Sequence, residues 1–259
     1  LWPAFNANRR IFREADAITA VSAGYLDWGL AYAGRKRSET DAVFPLASLE
    51  KSLSEDRIEK ERRFLLDRGV DPDRFICCFF GQFEASYDIE TVIDAARLLE
   101  QSPGRKIQFV LCGDGRKMSS LRYRGTGLKN VIFPGWVSPA TIKVLMEMSD
   151  AGLAAYVRNA PQGLPNKVFE YFCGGLPVLS SLHGELESII SENYCGSVYE
   201  AGDVEGLASA VLRLYHNPGE RRKMGENARR LFEERFSAGR VYTGMIDYLE
   251  RIAGKEIEA

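Results

Sequence analysis

The sequence predicts an α/β fold: a doubly wound, Rossmann-like parallel sheet occupying residues 75–236. Three observations carry this. Short apolar runs recur along the chain: FICCFFG (75–81), IQFVLC (107–112), NVIFPGW (130–136), AGLAAYV (151–157), LPVLSS (176–181) and CGSVYEA (195–201). They are largely apolar at consecutive rather than alternate positions, which describes strands covered on both faces. Each is followed by a stretch with helical spacing, the pattern of parallel strands joined by helical crossovers.

The helices follow in order. Residues 88–101 place Ile89, Val92, Ile93, Ala96, Leu98 and Leu99 mostly at helical spacing, with Asp88 as N-cap. A short helix spans 117–124. Residues 138–149 form a helix with Ser138 as cap and Pro139 in its first turn. LPNKVFEYFCGG starts a helix near Pro165 or Asn166 that stops at the Gly174–Gly175 pair. Residues 185–193, 203–217 and 219–236 complete the set. Ahead of them, 15–22 reads as a strand and turn leading into a helix at 23–34, 41–47 as an extended piece, and 52–70 as a charged amphipathic helix. Residues 1–48 are too few for a domain and read as the closing segment of a lobe mostly absent from the chain. Residues 49–74 read as a connector helix and 237–259 as a closing helix. The chain starts at Leu1, without Met, inside structured-looking sequence, as a fragment would.

Composition narrows the function. Hydrophobic residues make up 45% and charged residues 27% of 259 residues, an ordinary globular balance. With a net charge of -2, no basic domain exists to neutralise a phosphate backbone, so nucleic acid is not an expected partner. The basic stretch 220–230 reads as a solvated helix surface. The five cysteines are odd in number and lack a CxxC, as in reduced, buried thiols of a cytosolic protein. His183 and His216 lack metal-ligand spacing. No apolar run reaches the roughly 18 residues that cross a bilayer.

Doubly wound sheets bind ligands beyond the carboxyl ends of their strands, so the strand-to-helix turns hold the candidates. In the first turn, Gly81 and Gln82 allow close backbone approach, or simply a tight turn. In the second, Gly113 and Gly115 flank Asp114. In the third, Val137 follows Gly135 and Trp136; the pair 136–137 suits a flat base, although a tryptophan here reads more simply as core. The fourth turn, RNAPQGLPNKVFE (158–170), is the richest. Its helix start presents free N–H groups and a positive dipole end to an anion. Lys167 sits in that first turn, where a cation is unfavourable unless an anion lies beside it. Glu170 offers a carboxylate that can accept from two vicinal hydroxyls; an exposed helix residue is the equal alternative. In the fifth turn, His183 reads as a solvated loop histidine.

Taken together, FFGQFEASYDIETVIDAARLL, FVLCGDG, NVIFPGWV, the strand through Leu153–Tyr156 and LPNKVFEYFCGGLPVLSS resemble, in order and spacing, a known family. They are similar to the C-terminal, nucleotide-sugar-binding lobe of family 4 glycosyltransferases of the GT-B fold, closest to bacterial exopolysaccharide and capsule enzymes. The resemblance covers 79–236. READAITAVSAGYLDW resembles the end of that family's N-terminal acceptor lobe, and 241–252 the helix that crosses back to it. The resemblance implies transfer of a hexose from a UDP- or GDP-sugar to a hydroxyl of a saccharide or lipid-linked saccharide, with retained configuration. It implies a cytoplasmic place, at the inner face of the cell membrane, with peripheral association through the missing lobe. Glu170 matches the family's ribose-binding glutamate. Gln162 stands where the family has a glutamate facing the donor sugar. The family's Arg and Lys on the diphosphate are replaced by Gln82 and Tyr87, so Lys167 with the helix start is expected to compensate. The implied roles are therefore catalytic for Gln162 and Lys167. Gly81, Gln82, Gly113, Gly115, Val137, Gly163, Leu164, Pro165, Asn166 and Glu170 are implied to bind the donor. No metal cofactor is expected, since Asp114 is a single carboxylate beside Arg116. The alternative is a non-catalytic nucleotide-binding or docking module that needs a partner lobe. On either reading the isolated chain transfers sugar poorly.

Overall fold

The computed structural model describes residues 2–49, 52–101 and 104–255, with side chains described from residue 7 to residue 254 within those spans. Two compact units divide the chain: a smaller one of residues 1–49 and 233–259, and a larger one of residues 50–232.

The smaller unit opens with a helix that the sequence reading did not contain, α1 (Trp2–Glu14). It continues through β1 (Thr19–Ala20), α2 (Ala23–Ala33) and β2 (Ala42–Val43), with β1 and β2 paired in parallel. Ser22 caps α2 by accepting from the Tyr25 N–H, and Gly34 ends it in the left-handed region at φ +71°. Buried Asp41 organises the following loop: its carboxylate accepts from the Ile18 N–H (2.8 Å), the Ser38 N–H (2.7 Å) and the Arg35 guanidinium. Burial alone would raise its pKa, but these donors outweigh burial and hold it at about 2.

The larger unit begins with α3 (Glu55–Leu66). This helix, read from the sequence as a connector, groups with the larger unit. Glu61 of α3 is buried, accepts from Thr141 Oγ1 at 2.7 Å and pairs with Arg57 at 2.7 Å. The strands follow: β3 (Phe75–Phe80), β4 (Ile107–Cys112), β5 (Val131–Gly135), β6 (Ala151–Ala154), β7 (Val178–Ser180) and β8 (Gly196–Val198). Between and after them lie α4 (Ile89–Glu100), α5 (Met118–Arg124), α6 (Pro139–Glu147), α7 (Asn166–Cys173), α8 (Glu185–Asn193), α9 (Val204–His216) and α10 (Pro218–Leu231). Asp88 and Ser138 cap α4 and α6, as the sequence predicts.

All pairings in this sheet are parallel, in the order β5-β4-β3-β6-β7-β8. The chain starts at the centre, winds outward through β4 and β5, then returns to the other side of β3 to lay down β6. That reversal opens a crevice at the carboxyl ends of β3 and β6. Every residue of β3 and β4 is buried, which explains their unbroken apolar runs. Cys77 and Cys78 lie within β3, and burial pushes the Cys78 thiol up to about 12.

One side chain fastens α7 over the reversal. The Tyr171 ring lies flat against Gly152 of β6, where a Cβ would come within 2.4 Å of it. Its hydroxyl is within hydrogen-bonding distance of the carbonyls of Cys78 (3.2 Å) and Leu153 (3.1 Å), spanning β3 and β6.

After α10 a π-helical turn (Phe232–Phe236) leads into α11 (Ala238–Lys255). This last helix groups with the N-terminal residues in the smaller unit, where the Tyr248 hydroxyl donates to the Thr40 carbonyl. Among the described residues, no helix is long and apolar enough to cross a membrane.

Candidate functional site

A cleft of about 400 Å³ lies at the carboxyl ends of β3, β4 and β5. Gly81, Gln82, Gly113, Gly115 and Val137, five of the residues singled out in the sequence, all line it. Phe80, Glu84, Cys112, Asp114, Trp136 and Ile142 complete its walls. Three turns are stitched together beneath it: the Gly81 N–H donates to Cys112 O (3.0 Å), Gly113 N–H to Gly135 O (2.8 Å) and Phe83 N–H to Asp114 O (2.8 Å).

Two expectations change here. Gly113 and Gly115 are needed for the protein's own packing before any ligand. A Cβ at Gly113 (φ +146°) would fall 1.8 Å from the Gly81 carbonyl oxygen, and one at Gly115 would meet Phe83 O at 2.7 Å. Trp136 is not core: it is 74% exposed at the mouth of the cleft, following Gly135 at φ +86°. Val137 is buried. Arg116 does not stand free at the rim, since its Nε pairs with Glu84 at 2.8 Å.

The second half of the site follows β6. The chain stays extended past Ala154 because Ser181 Oγ accepts from Tyr156 N–H (2.7 Å) and donates to Tyr156 O (2.8 Å). The loop after β3 lies along this extension, with Val157 N–H donating to Ser86 O (3.0 Å) and Asp88 N–H to Ala155 O (3.2 Å). It thereby brings Tyr87 beside Tyr156, ring centroids 4.9 Å apart. The β6–α7 loop then delivers the start of α7 at Asn166. Pro165 precedes it with an extended backbone and no side-chain cap, so no side chain caps the first-turn N–H groups. Gly163 faces open space and Asn166 is exposed. Leu164 and Pro165 are buried, so their side chains serve packing and leave only backbone for a ligand. Gln162 is half-buried, and its Oε1 is enclosed without a hydrogen-bond partner.

Lys167 differs most from the sequence reading. Instead of standing as a free cation beside the helix start, it is only 6% exposed and turned inward. Its Nζ lies 3.7 Å from the ring centre of Phe79, 3.9 Å from Tyr87 and 5.6 Å from Tyr156, with no hydrogen-bond partner. Burial drives its pKa well below the usual lysine range, with Glu170 opposing. Burial likewise raises Glu170, with Lys167 opposing. Gln162, Gly163, Leu164, Pro165, Asn166 and Glu170 are not among the residues lining the cleft. The link between the halves is Lys167, whose Nζ would lie 3.0 Å from a Cβ at Gly81.

His183 is an exposed loop residue, as the sequence suggests, and is also tied to two carboxylates: Nδ1 lies 3.1 Å from Glu187 and Nε2 3.2 Å from Glu200, and the Glu187 hydrogen bond raises its pKa despite slight burial. No group of three or more potential metal-binding side chains occurs among the described residues. The sequence reading missed Phe79, Tyr156, Tyr171 and Ser181. Their types are those of ordinary core residues, and only the sheet order brings them to one crevice.

Comparison with known proteins fits this geometry. The profile of the family described as "Glycosyl transferases group 1" matches residues 62–231. The chain is 26% identical over 192 residues to the putative glycosyltransferase EpsD of Bacillus subtilis, covering 73% of this chain and 48% of that protein. It is 24% identical over 242 residues to O-antigen chain mannosyltransferase C of Escherichia coli, covering 92% and 61%. The chain thus spans about half to three fifths of the length of these relatives. Among solved structures, HepE of Anabaena in complex with UDP superposes with a TM-score of 0.77 at 20% identity, over 95% of this chain and 66% of that one. Sucrose-phosphate synthase of Thermosynechococcus elongatus does so with 0.74 at 18% identity, over 98% and 63%. The shared fold is that of GT-B glycosyltransferases, and the chain belongs to the group 1 glycosyltransferase family.

Proposed function

We propose that this chain is the donor-binding lobe of a retaining hexosyltransferase that takes its sugar from a nucleoside-diphosphate sugar. The observation that carries the reading is a pair of enclosed polar atoms without partners, Gln162 Oε1 and Lys167 Nζ, on either side of the uncapped start of α7. Buried polar groups are normally satisfied, so such a pair beside a positive helix end fits a missing anionic, hydroxyl-bearing ligand. The base lies in the cleft of Gly81, Gln82, Gly113, Gly115 and Val137, with Trp136 at its mouth. The diphosphate rests on the backbone N–H groups of Gly163, Leu164, Asn166 and Lys167. Glu170 accepts from the ribose hydroxyls, and Gln162 hydrogen-bonds the transferred sugar. The first N–H groups of α7 then stabilise the negative charge that grows on the leaving diphosphate. No metal is needed for this; a chelator leaves nucleotide binding unchanged.

The acceptor is a saccharide or lipid-linked saccharide, the class of product named for the relatives in O-antigen and amylovoran synthesis. It docks on a lobe outside these residues, so the chain alone binds donor but turns over poorly. HepE, solved with UDP and with UDP-glucose, supports UDP as the first nucleotide to try. Titration calorimetry with UDP, GDP and UDP-glucose tests the proposal, and the absence of binding to all three rejects it. The uncharged amide of Gln162 favours a second reading, a binding module that holds donor without transfer. Assembly with an acceptor lobe followed by an assay for transfer separates the two.

A further inference from the structure

Lys167 is a lysine with nowhere to place its charge. Three rings surround its Nζ and no acceptor touches it. Aromatic faces attract an ammonium, but the attraction is smaller than the hydration that a fully buried ammonium forfeits. The titratable groups facing Nζ are Tyr87 from the β3–α4 loop, Tyr156 from the extension of β6, and Glu170 from α7; Phe79 from β3 carries no charge. Glu170 is itself partly buried, and burial raises its pKa, with Lys167 opposing.

The box has one notable wall. Gly81 is the residue between Nζ and the base cleft, and a Cβ there would stand 3.0 Å from Nζ. The missing side chain leaves a window between the stored amine and the cleft. Gly81 lies at φ +155°, a backbone conformation that suits glycine.

We propose that Lys167 is stored as a neutral amine in the Phe79–Tyr87–Tyr156 box and takes up a proton from solvent when a donor diphosphate seats at the start of α7. This rests on the donor-site reading above. In the step, one N–H bond forms at Nζ as the bond from that proton to a buffer acid or hydronium oxygen breaks, the conjugate base stays in solution, and no bond of the protein or the donor is cleaved. The new ammonium faces the bound nucleotide past Gly81, and its charge offsets part of the diphosphate's. The empty site is thus spared an uncompensated buried charge, and the cation is present only when an anion is there to receive it.

Proton uptake is measurable directly. UDP is titrated into the wild-type chain at pH 8 in two buffers of different ionisation enthalpy. The difference in observed heat should report uptake of about one proton, and the K167M variant should bind more weakly with no such difference. Across pH 7.5–8.5, where the phosphates of UDP are fully ionised and its uracil ring still holds its proton, wild-type affinity should fall with rising pH by up to about tenfold per unit, and that of K167M should stay flat. UDP binding by the wild type without buffer dependence overturns the proposal, because the lysine is then already charged.

A ligand-free arm stands apart from the donor. A lysine neutral in the folded chain and charged in the unfolded one makes stability rise with pH. The stability advantage of K167M over wild type should therefore shrink as pH rises from 7 to 10 in denaturant unfolding. A constant difference overturns the storage of a neutral amine. Binding of no nucleoside diphosphate by either protein instead overturns the donor-site reading, and the proton uptake with it.

Discussion

Gly113 and Gly163 look alike in the sequence and are opposites in the structure. At Gly113 an added methyl would collide with the Gly81 carbonyl at 1.8 Å, whereas Gly163 has nothing within 4 Å. Gly113→Ala should therefore cost roughly 3 kcal/mol or more, read as a drop in the denaturation midpoint. Gly163→Ala should stay within about 0.5 kcal/mol of wild type yet weaken UDP binding, since its methyl enters the space beside the helix start. A stable Gly113→Ala, or a Gly163→Ala with unchanged affinity, would contradict these assignments. Glu170 makes a sharper test of the ribose contact. Glu170→Ala should lose roughly 10- to 100-fold in affinity for UDP, the worth of hydrogen bonds to a charged acceptor. The loss should be smaller for 2′-deoxy-UDP, which has already given up one of the two hydroxyls.

Single hydrogen bonds decide how the elements meet at the crevice. Ser181 from the end of β7 holds both polar groups of the Tyr156 backbone, which keeps β6 extended and gives the β3–α4 loop its partner. Ser181→Ala leaves a buried N–H without that partner and should cost about 1–3 kcal/mol, with an unchanged denaturant slope. Much at this scale was legible in the sequence. Consecutive apolar residues mark β3 and β4 because both faces are covered, and Asp88 and Ser138 announce their helices by the side-chain oxygen that each offers. Three features were not legible. Helix α1 carries Ala4, Ala7 and Ile11 at helical spacing after Pro3, but no Ser, Thr, Asp or Asn precedes it in the sequence to mark its start. The exposure of Trp136 follows the turn at Gly135, which a list of apolar residues does not encode. The inward turn of Lys167 depends on Phe79, Tyr87 and Tyr156 meeting, and their meeting depends on the lateral order of strands, about which periodicity says nothing.

For the whole molecule, acid stability has a definite window. Asp41 in the smaller unit titrates at about 2 against an ordinary 3.8. A depressed carboxylate contributes stability that is fully present above its unfolded pKa and is lost as pH falls through the folded one. The contribution should thus fade between about pH 4 and pH 2, and Asp41→Asn should remove that part of the acid dependence while lowering stability at pH 7. Unfolding followed from pH 2 to 7 in both proteins checks this; parallel curves would show that Asp41 carries none of it. The three stitched turns under the cleft have a further consequence, for anyone wishing to retarget the protein. Random libraries that include codons 113 and 115 will return mostly misfolded chains, because those positions are where one loop passes through the space of another. Diversity placed at Gln82, Trp136 and Ile142 meets no such barrier. These side chains stand on the same cleft and are not fully buried, so they can change what is recognised without disturbing what holds the loops in place.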